Sequence, residues 1–353
     1  MFKNLNKIGK KIKFPSELRF DLASKDWVII AVGRARRPET FKKEKREKRE
    51  IPKGQCPFCD LKDQGAPKLI FSKGKKLDFK PGDKIPENWT TIVIPNKYPA
   101  FSPSKSLDKR IEGNLYQTMN AVGYHEVVIT RNHEKQLAQL SIEEIKEVMD
   151  VYQARYLDLE KKEFVNHISI FQNHGCEAGA SVPHPHSQIT TTPLVDVDLK
   201  KSLFNSKEYQ KNNKKCIYCQ MIEWEKKVRK RIVFENKEFL VVCPFASKTA
   251  FEMIITPQKH LPYFEKVTEK EKEYLAEAFK IALHTLYKAL GDPAYNFYLH
   301  TAPSNNNGTY DYYHWHFTIL PKISILAGFE IGALMEISTI EPEKAAAYLK
   351  KHI

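Results

Sequence analysis

The chain has 353 residues, 42% hydrophobic and 28% charged, with a formal net charge of +14. That length suits two domains or one duplicated domain, and the apolar share is enough for a packed core, which excludes a disordered chain. No apolar run approaches the roughly 20 residues that span a bilayer. The N-terminus, MFKNLNKIGKKIKF, also lacks the apolar stretch and cleavage site of a secretory leader, so a cytoplasmic protein with no membrane partner is expected. The charge points to an anionic partner, which could be nucleic acid, a membrane or a phosphorylated metabolite.

In chain order, lysines crowd the first 14 residues, WVIIA at 27–31 reads as a strand, and KKEKREKRE at 42–50 reads as solvated surface. Cys56 and Cys59 then form a Cys-x-x-Cys pair. The stretch from 60 to about 120 reads as an insertion. HEVVIT at 125–130 is a β-branched strand closing on His133. Ser141 and Glu144 carry the spacing of a capping box, which predicts a helix over 142–162. VNHISIFQN at 165–173 reads as the next strand, and His184-Pro-His186 follows a loop rich in small residues.

The same order then recurs. Cys216 and Cys219 form the second pair, and FEMIIT at 251–256 closes on His260. Thr268 and Glu271 cap a helix predicted over 269–290 with Gly291 as its stop. AYNFYLHTA at 294–302 precedes His314-Trp-His316, and a helix over 341–352 ends the chain. The isolated histidine precedes the first paired histidine by 51 residues in one half and by 54 in the other. We expect a duplicated α+β unit on antiparallel sheets, divided into residues 1–195 and 196–353.

Zinc takes thiolates and imidazoles in a tetrahedron, and four protein ligands leave no open position. The repeat supplies two such sets: Cys56, Cys59, His133 and His184, then Cys216, Cys219, His260 and His314. Two zinc ions per chain are expected. His125 competes with His133, but the repeat sets His133 opposite His260 and His125 opposite Phe251.

In PHPHSQI at 183–189, an extended backbone puts His184, His186 and Gln188 on one face. His184 anchors the strand at the metal, leaving His186 free as a nucleophile. Gln188 can donate a hydrogen bond to a phosphoryl oxygen but cannot deliver a proton, which suits a weakly basic phosphate leaving group. The loop NHGCEAGAS at 173–181 lets backbone approach a phosphate, with Asn173 and Ser181 as candidate ligands. The second half has Thr318 where the first has Gln188, and reads as a structural copy with His316 packed.

On these residues, above all NHGCEAGASVPHPHSQI and the paired cysteine–histidine pattern, the chain resembles the galactose-1-phosphate uridylyltransferases. These are a branch of the histidine-triad superfamily with two fused copies of the fold. It is also similar to the plant-type ADP-glucose phosphorylases, through the second Cys pair and AGFEIG at 327–332. The resemblance implies ping-pong nucleotidyl transfer between a nucleotide sugar and a sugar 1-phosphate, with a covalent nucleotidyl-histidine at His186. It further implies that Arg34, Arg37 and Asn96 bind the nucleotide, and that Asn173, Ser181 and Gln188 bind phosphate. Glu330 would bind sugar hydroxyls across a homodimer interface. Bacterial uridylyltransferases hold iron in the second half with a Glu and three His; here those histidines would be His300, His314 and His316, and the second Cys pair takes the place of the Glu. Ser324 and Glu336 stand where the uridylyltransferases have Lys and Gln. An adenylyltransferase acting on ADP-glucose and phosphate is the alternative. A zinc module binding nucleic acid is the remote one, since no basic stripe interleaved with aromatics appears, and no nucleic-acid partner is expected.

Overall fold

The computed structural model describes residues 16–31, 50–80, 82–304, 309–325 and 327–353. The first half runs through β1 (Glu17–Phe20), β2 (Trp27–Ile30), β3 (Leu69–Ser72), β4 (Lys75–Lys76), β5 (Thr91–Pro95), β6 (Arg110–Glu112), β7 (Tyr116–Thr118), β8 (His125–Thr130), α1 (Ile142–Leu159), β9 (His167–His174) and β10 (His186–Thr192). The second continues with α2 (Val197–Asn213), α3 (Ile217–Val228), β11 (Ile232–Glu235), β12 (Phe239–Val242), β13 (Met253–Pro257), α4 (Glu269–Leu290), β14 (Tyr295–His300), β15 (His316–Pro321), α5 (Gly328–Ala333), β16 (Ile337–Ser338) and α6 (Pro342–Lys350).

Eleven strands form one sheet in the order β11-β12-β13-β15-β14-β9-β10-β8-β5-β3-β4, and β1, β2 and β16 form a smaller one. Read inward from its two ends, the large sheet repeats itself: β11-β12-β13-β15-β14 mirrors β3-β5-β8-β10-β9. The copies meet where β9 pairs antiparallel with β14, setting Asn173 opposite Asn296. This corrects the reading of 60–120 as an insertion. β3 and β5 are sheet strands with counterparts in β11 and β12, and only the β6–β7 hairpin stands apart.

Both capping boxes form. Ser141 Oγ accepts from the Glu144 N–H at 3.2 Å, while the Glu144 carboxylate accepts from the Ser141 N–H at 2.7 Å. Thr268 and Glu271 repeat the exchange at 3.3 and 2.8 Å. Each cap stabilises its helix by about 1 kcal/mol. The helices they start, α1 and α4, lie together on one face of the sheet. There Tyr152, Tyr156, Phe279 and Leu286 pack on Ile170, Ile189, Phe297 and Phe317. Burying each such side chain contributes about 1.5–3 kcal/mol.

The period of two along β8 serves two cores. Val128 joins the helix-covered cluster, while Val127 and Ile129 join a smaller one with Cys56, Phe58, Trp89, Ile92 and Ile94 on the opposite face. That second face carries the site.

Candidate active site and metal centres

The first Cys pair sits just after a short 3₁₀ turn (Lys53–Gln55), and the Cys59 and Asp60 N–H groups both donate to the Cys56 carbonyl. That tight turn faces His133 and His184. Cys59 Sγ lies 3.2 Å from His133 Nδ1 and 3.5 Å from His184 Nδ1. Cys56 Sγ is 3.5 Å from His184 Nδ1, and the two Nδ1 atoms are 3.2 Å apart. The second pair is built differently: Cys216 is the N-cap of α3 and Cys219 lies in its first turn. Cys219 Sγ is 3.4 Å from His260 Nδ1 and 3.6 Å from His314 Nδ1.

In each set all four ligand atoms lie within 4.8 Å of one another, so each can hold a metal ion. Bonds of about 2.0–2.3 Å at tetrahedral angles put neighbouring ligand atoms roughly 3.3–3.8 Å apart, which these spacings match. The far nitrogens fit too. The Nε2–H groups of His184, His133, His260 and His314 face the carbonyls of Thr130 (2.7 Å), Ile51 (2.8 Å), Asp311 (2.6 Å) and Pro257 (3.0 Å). Donation there leaves each Nδ1 lone pair turned inward, as a ligand requires. Burial holds His184 neutral, with its pKa near 4. A hydrogen bond from Cys219 keeps the Cys216 thiol well below its ordinary value, helped by His260 and His314. His125 belongs to neither set; the first contains His133.

His186 opens β10, one residue beyond Pro185 and two beyond the metal-facing His184. Its Nδ1–H donates to the His184 carbonyl at 2.8 Å, which puts the lone pair on Nε2, where no described residue hydrogen-bonds it. Burial lowers its pKa, so the ring is neutral at neutral pH. Phe58, carried between the two cysteines of the turn, packs edge-on against it at 4.9 Å. The Cys56–Cys59 turn therefore braces His186 from the side as well as along the chain.

Gln188 lies two residues on, opposite Val127 of β8 and Phe171 of β9. Its Oε1 accepts from His125 Nε2 at 2.8 Å. Asn173, near the end of β9, has its Oδ1 occupied by Asn296 Nδ2 at 2.8 Å, and Asn296 also donates to the Ala178 carbonyl at 2.9 Å. The loop between β9 and β10 turns through two left-handed glycines, Gly175 (φ 85°) and Gly179 (φ 87°). A Cβ on Gly175 would come within 2.7 Å of Ala294 Cβ. That loop leaves Ser181 exposed ahead of the strand.

The other candidates are placed less closely. Asn96 stands beside His125, with its Nδ2 3.1 Å from the ring Nε2. Glu330 lies in α5 and accepts from the Ala327 N–H at 3.1 Å; among the described residues it makes no hydrogen bond or ion pair with His186 or Gln188. Arg34 and Arg37 lie outside the described residues. In the second half His316 keeps the position of His186, buried and stacked on His300 at 4.7 Å, while His314 belongs to the Cys set. What sequence reasoning missed is His125: its value lies in a hydrogen bond to Gln188, and only the pairing of β8 with β10 makes that visible.

The fold and this constellation define a duplicated histidine-triad-like enzyme. Profiles for the galactose-1-phosphate uridyl transferase N-terminal and C-terminal domains match residues 10–196 and 202–351, and the chain belongs to this family. An ADP-glucose phosphorylase of Arabidopsis thaliana is 32% identical over 339 residues, covering 95% of this chain and 92% of that protein. A galactose-1-phosphate uridylyltransferase of Thermotoga maritima is 26% identical, covering 95% and 98%. The crystal structure of an Arabidopsis thaliana ADP-glucose phosphorylase with bound ADP-glucose superposes with a TM-score of 0.76 at 29% identity, covering 95% and 99%. Membership makes this chain an enzyme of the nucleotidyltransferase kind.

Proposed function

We propose that the chain moves a nucleoside monophosphate between a nucleotide sugar and a sugar 1-phosphate through a covalent nucleotidyl-His186 intermediate. The favoured pair is UDP-glucose and galactose 1-phosphate, a step of galactose metabolism. The observation that carries this reading is the His186 ring, neutral, with Nδ1–H committed to the His184 carbonyl and Nε2 bare on the face it shares with Gln188.

His186 Nε2 attacks the α-phosphorus, the bond from that phosphorus to the bridging oxygen breaks, and sugar 1-phosphate leaves with the electron pair. The His184 carbonyl then stabilises the positive charge that develops on the ring at Nδ1–H. A second sugar 1-phosphate attacks the same phosphorus, and His186 departs neutral. Gln188 donates to a phosphoryl oxygen as its charge grows, and Asn173 and Ser181 hold the phosphates. Arg34, Arg37 and Asn96 bind the nucleotide. Glu330 reads sugar hydroxyls in the partner subunit's site, so the working form is a homodimer in the cytoplasm.

Zinc suits both Cys2His2 sets, which are thiolate- and imidazole-rich and closed by four protein ligands. There it supplies structural stiffness rather than a reaction step. The nucleophile and first set belong to a domain of residues 1–195, the second set to residues 196–353.

A second reading, adenylyl transfer from ADP-glucose to phosphate, is favoured by the 32% identity to the plant phosphorylase and by the second Cys pair. Initial-rate kinetics with UDP-glucose and with ADP-glucose test both. Parallel ping-pong lines with UDP-glucose and galactose 1-phosphate are expected. Parallel lines with ADP-glucose and phosphate alone would select the second reading, and intersecting lines with either donor would overturn the covalent route.

A further inference from the structure

A glutamine side chain has two ends of nearly equal shape, of which only the amide nitrogen donates. Its use against a phosphoryl group depends on which end faces the substrate, since the carbonyl end would repel the anion. At Gln188 the choice is made by a neighbour. Gln188 Oε1 lies 2.8 Å from His125 Nε2, and His125 Nδ1 lies 3.1 Å from the backbone nitrogen of Ala100.

The Ala100 N–H can only donate, so His125 Nδ1 accepts and, in the neutral ring, Nε2 bears the hydrogen. That hydrogen goes to Gln188 Oε1. Asn96 Nδ2 also lies 3.1 Å from Nε2, but the Tyr98 N–H donates to Asn96 Oδ1 at 2.9 Å and fixes this amide with its nitrogen inward. Two donors face each other there, so Asn96 takes nothing from Nε2 and the His125 hydrogen is left to Gln188.

The backbone that carries the ring is also held. The His125 carbonyl accepts from the Asn96 N–H at 2.8 Å. The next residue, Glu126, is buried on the other face of β8 and gripped by Arg155 through bonds of 2.8 and 2.7 Å. A strand fixed on its far side presents His125 at a constant angle.

We propose that His125 is a positioning residue that turns the Gln188 amide so that its NH2 group faces the transferring phosphoryl oxygen. This rests on the reading of Gln188 as that donor. Among the described residues His125 makes no hydrogen bond with His186, and it acts on the phosphoryl group through Gln188.

The test uses full-length protein and a nucleotide sugar labelled in the α-phosphate, UDP-glucose or ADP-glucose, whichever labels the wild type. His125→Asn keeps an acceptor for the Ala100 N–H and loses the reach to Gln188. It should slow single-turnover labelling by about 10–10²-fold, part of the range for losing one preorganised donor. The half-saturating donor concentration should stay within about threefold. His125→Gln, whose terminal nitrogen reaches where Nε2 sat, should recover labelling to within about threefold of wild type. In a Gln188→Ala background, His125→Asn should change the rate less than about twofold, because the interaction is already gone.

Zinc content and the urea midpoint serve as controls, and His125→Phe replaces His125→Asn if either falls. A wild-type labelling rate in whichever of the two variants passes the controls would overturn the proposal, as would a full additive loss in the Gln188→Ala background. If wild type labels but Gln188→Ala labels equally fast, the donor role of Gln188 fails and His125 with it. If wild type never labels, the covalent route itself fails first.

Discussion

The Nδ1–H of His186 is committed to the His184 carbonyl at 2.8 Å, and His316 Nδ1 repeats the contact with the His314 carbonyl at 3.2 Å. The second ring is driven further from charge: burial lowers the His316 pKa to about 4, and Thr318 stands where Gln188 would donate. Ring and tautomer persist in the copy while the proposed phosphoryl donor is replaced by Thr318. Glu252, also in the second half, gives a pH dependence that can be signed. Burial raises its pKa from 4.5 to about 8, against the opposing effect of the Lys248 N–H. Between those values the folded chain binds a proton that the unfolded chain has released, so the contribution is complete below pH 4.5 and is lost as pH rises through 8. Glu252→Gln should flatten the fall in unfolding free energy from urea titrations over that window, which for one proton is at most about 1.4 kcal/mol per pH unit; an unchanged slope would place the titration elsewhere. The metal ligands and His186 were legible because spacing within each repeat sets them. The role of His125 was not, because its partners, Gln188 and Ala100, are distant in sequence and meet it only through strand pairing and loop packing.

The seam between β9 and β14 makes the second half part of the first half's site. Asn296 of β14 holds both the Asn173 amide and the Ala178 carbonyl, so one side chain fixes a proposed phosphate ligand and the loop after it. Asn296→Ala should slow nucleotidyl transfer by about 10–10²-fold, since small misplacements at reacting groups cost that much. Zinc content should be unchanged; a wild-type rate would show that the loop holds itself. At this scale α1, α4 and the strands flanking them were readable from capping boxes and β-branched runs. The predicted end of α1 at 162 falls back to Leu159, and the last helix, predicted over 341–352, is Pro342–Lys350. Helices α2 and α3 were not foreseen: α2 buries only Leu199, Leu203 and Ser206, too thin a stripe for a clear helical period. β3 and β5 were taken for an insertion because the short strands between Cys59 and His125 reveal their sheet only through partners far along the chain.

At the scale of the molecule, the described residues hold two Cys2His2 sets, one in each copy of the repeat that builds the eleven-stranded sheet. Among the described residues no helix is long and apolar enough to cross a membrane. Metal analysis of protein purified without chelator should find two zinc ions per chain, and Cys216→Ser should leave one; a single ion per chain that survives Cys216→Ser would show that the second set is not a site. Loss of the first ion, through Cys56→Ser, should harm activity more, because that turn carries Phe58 against His186. The central claim is that His186 carries the nucleotide. Intact-mass measurement after incubation with nucleotide sugar and no acceptor should show one nucleoside monophosphate added per active site, acid-labile and base-stable as a phosphoramidate is. His186→Gly should abolish the adduct and keep its zinc, because His184 still faces the metal. An adduct that persists in His186→Gly, or turnover by the wild type with no adduct at all, would contradict the account.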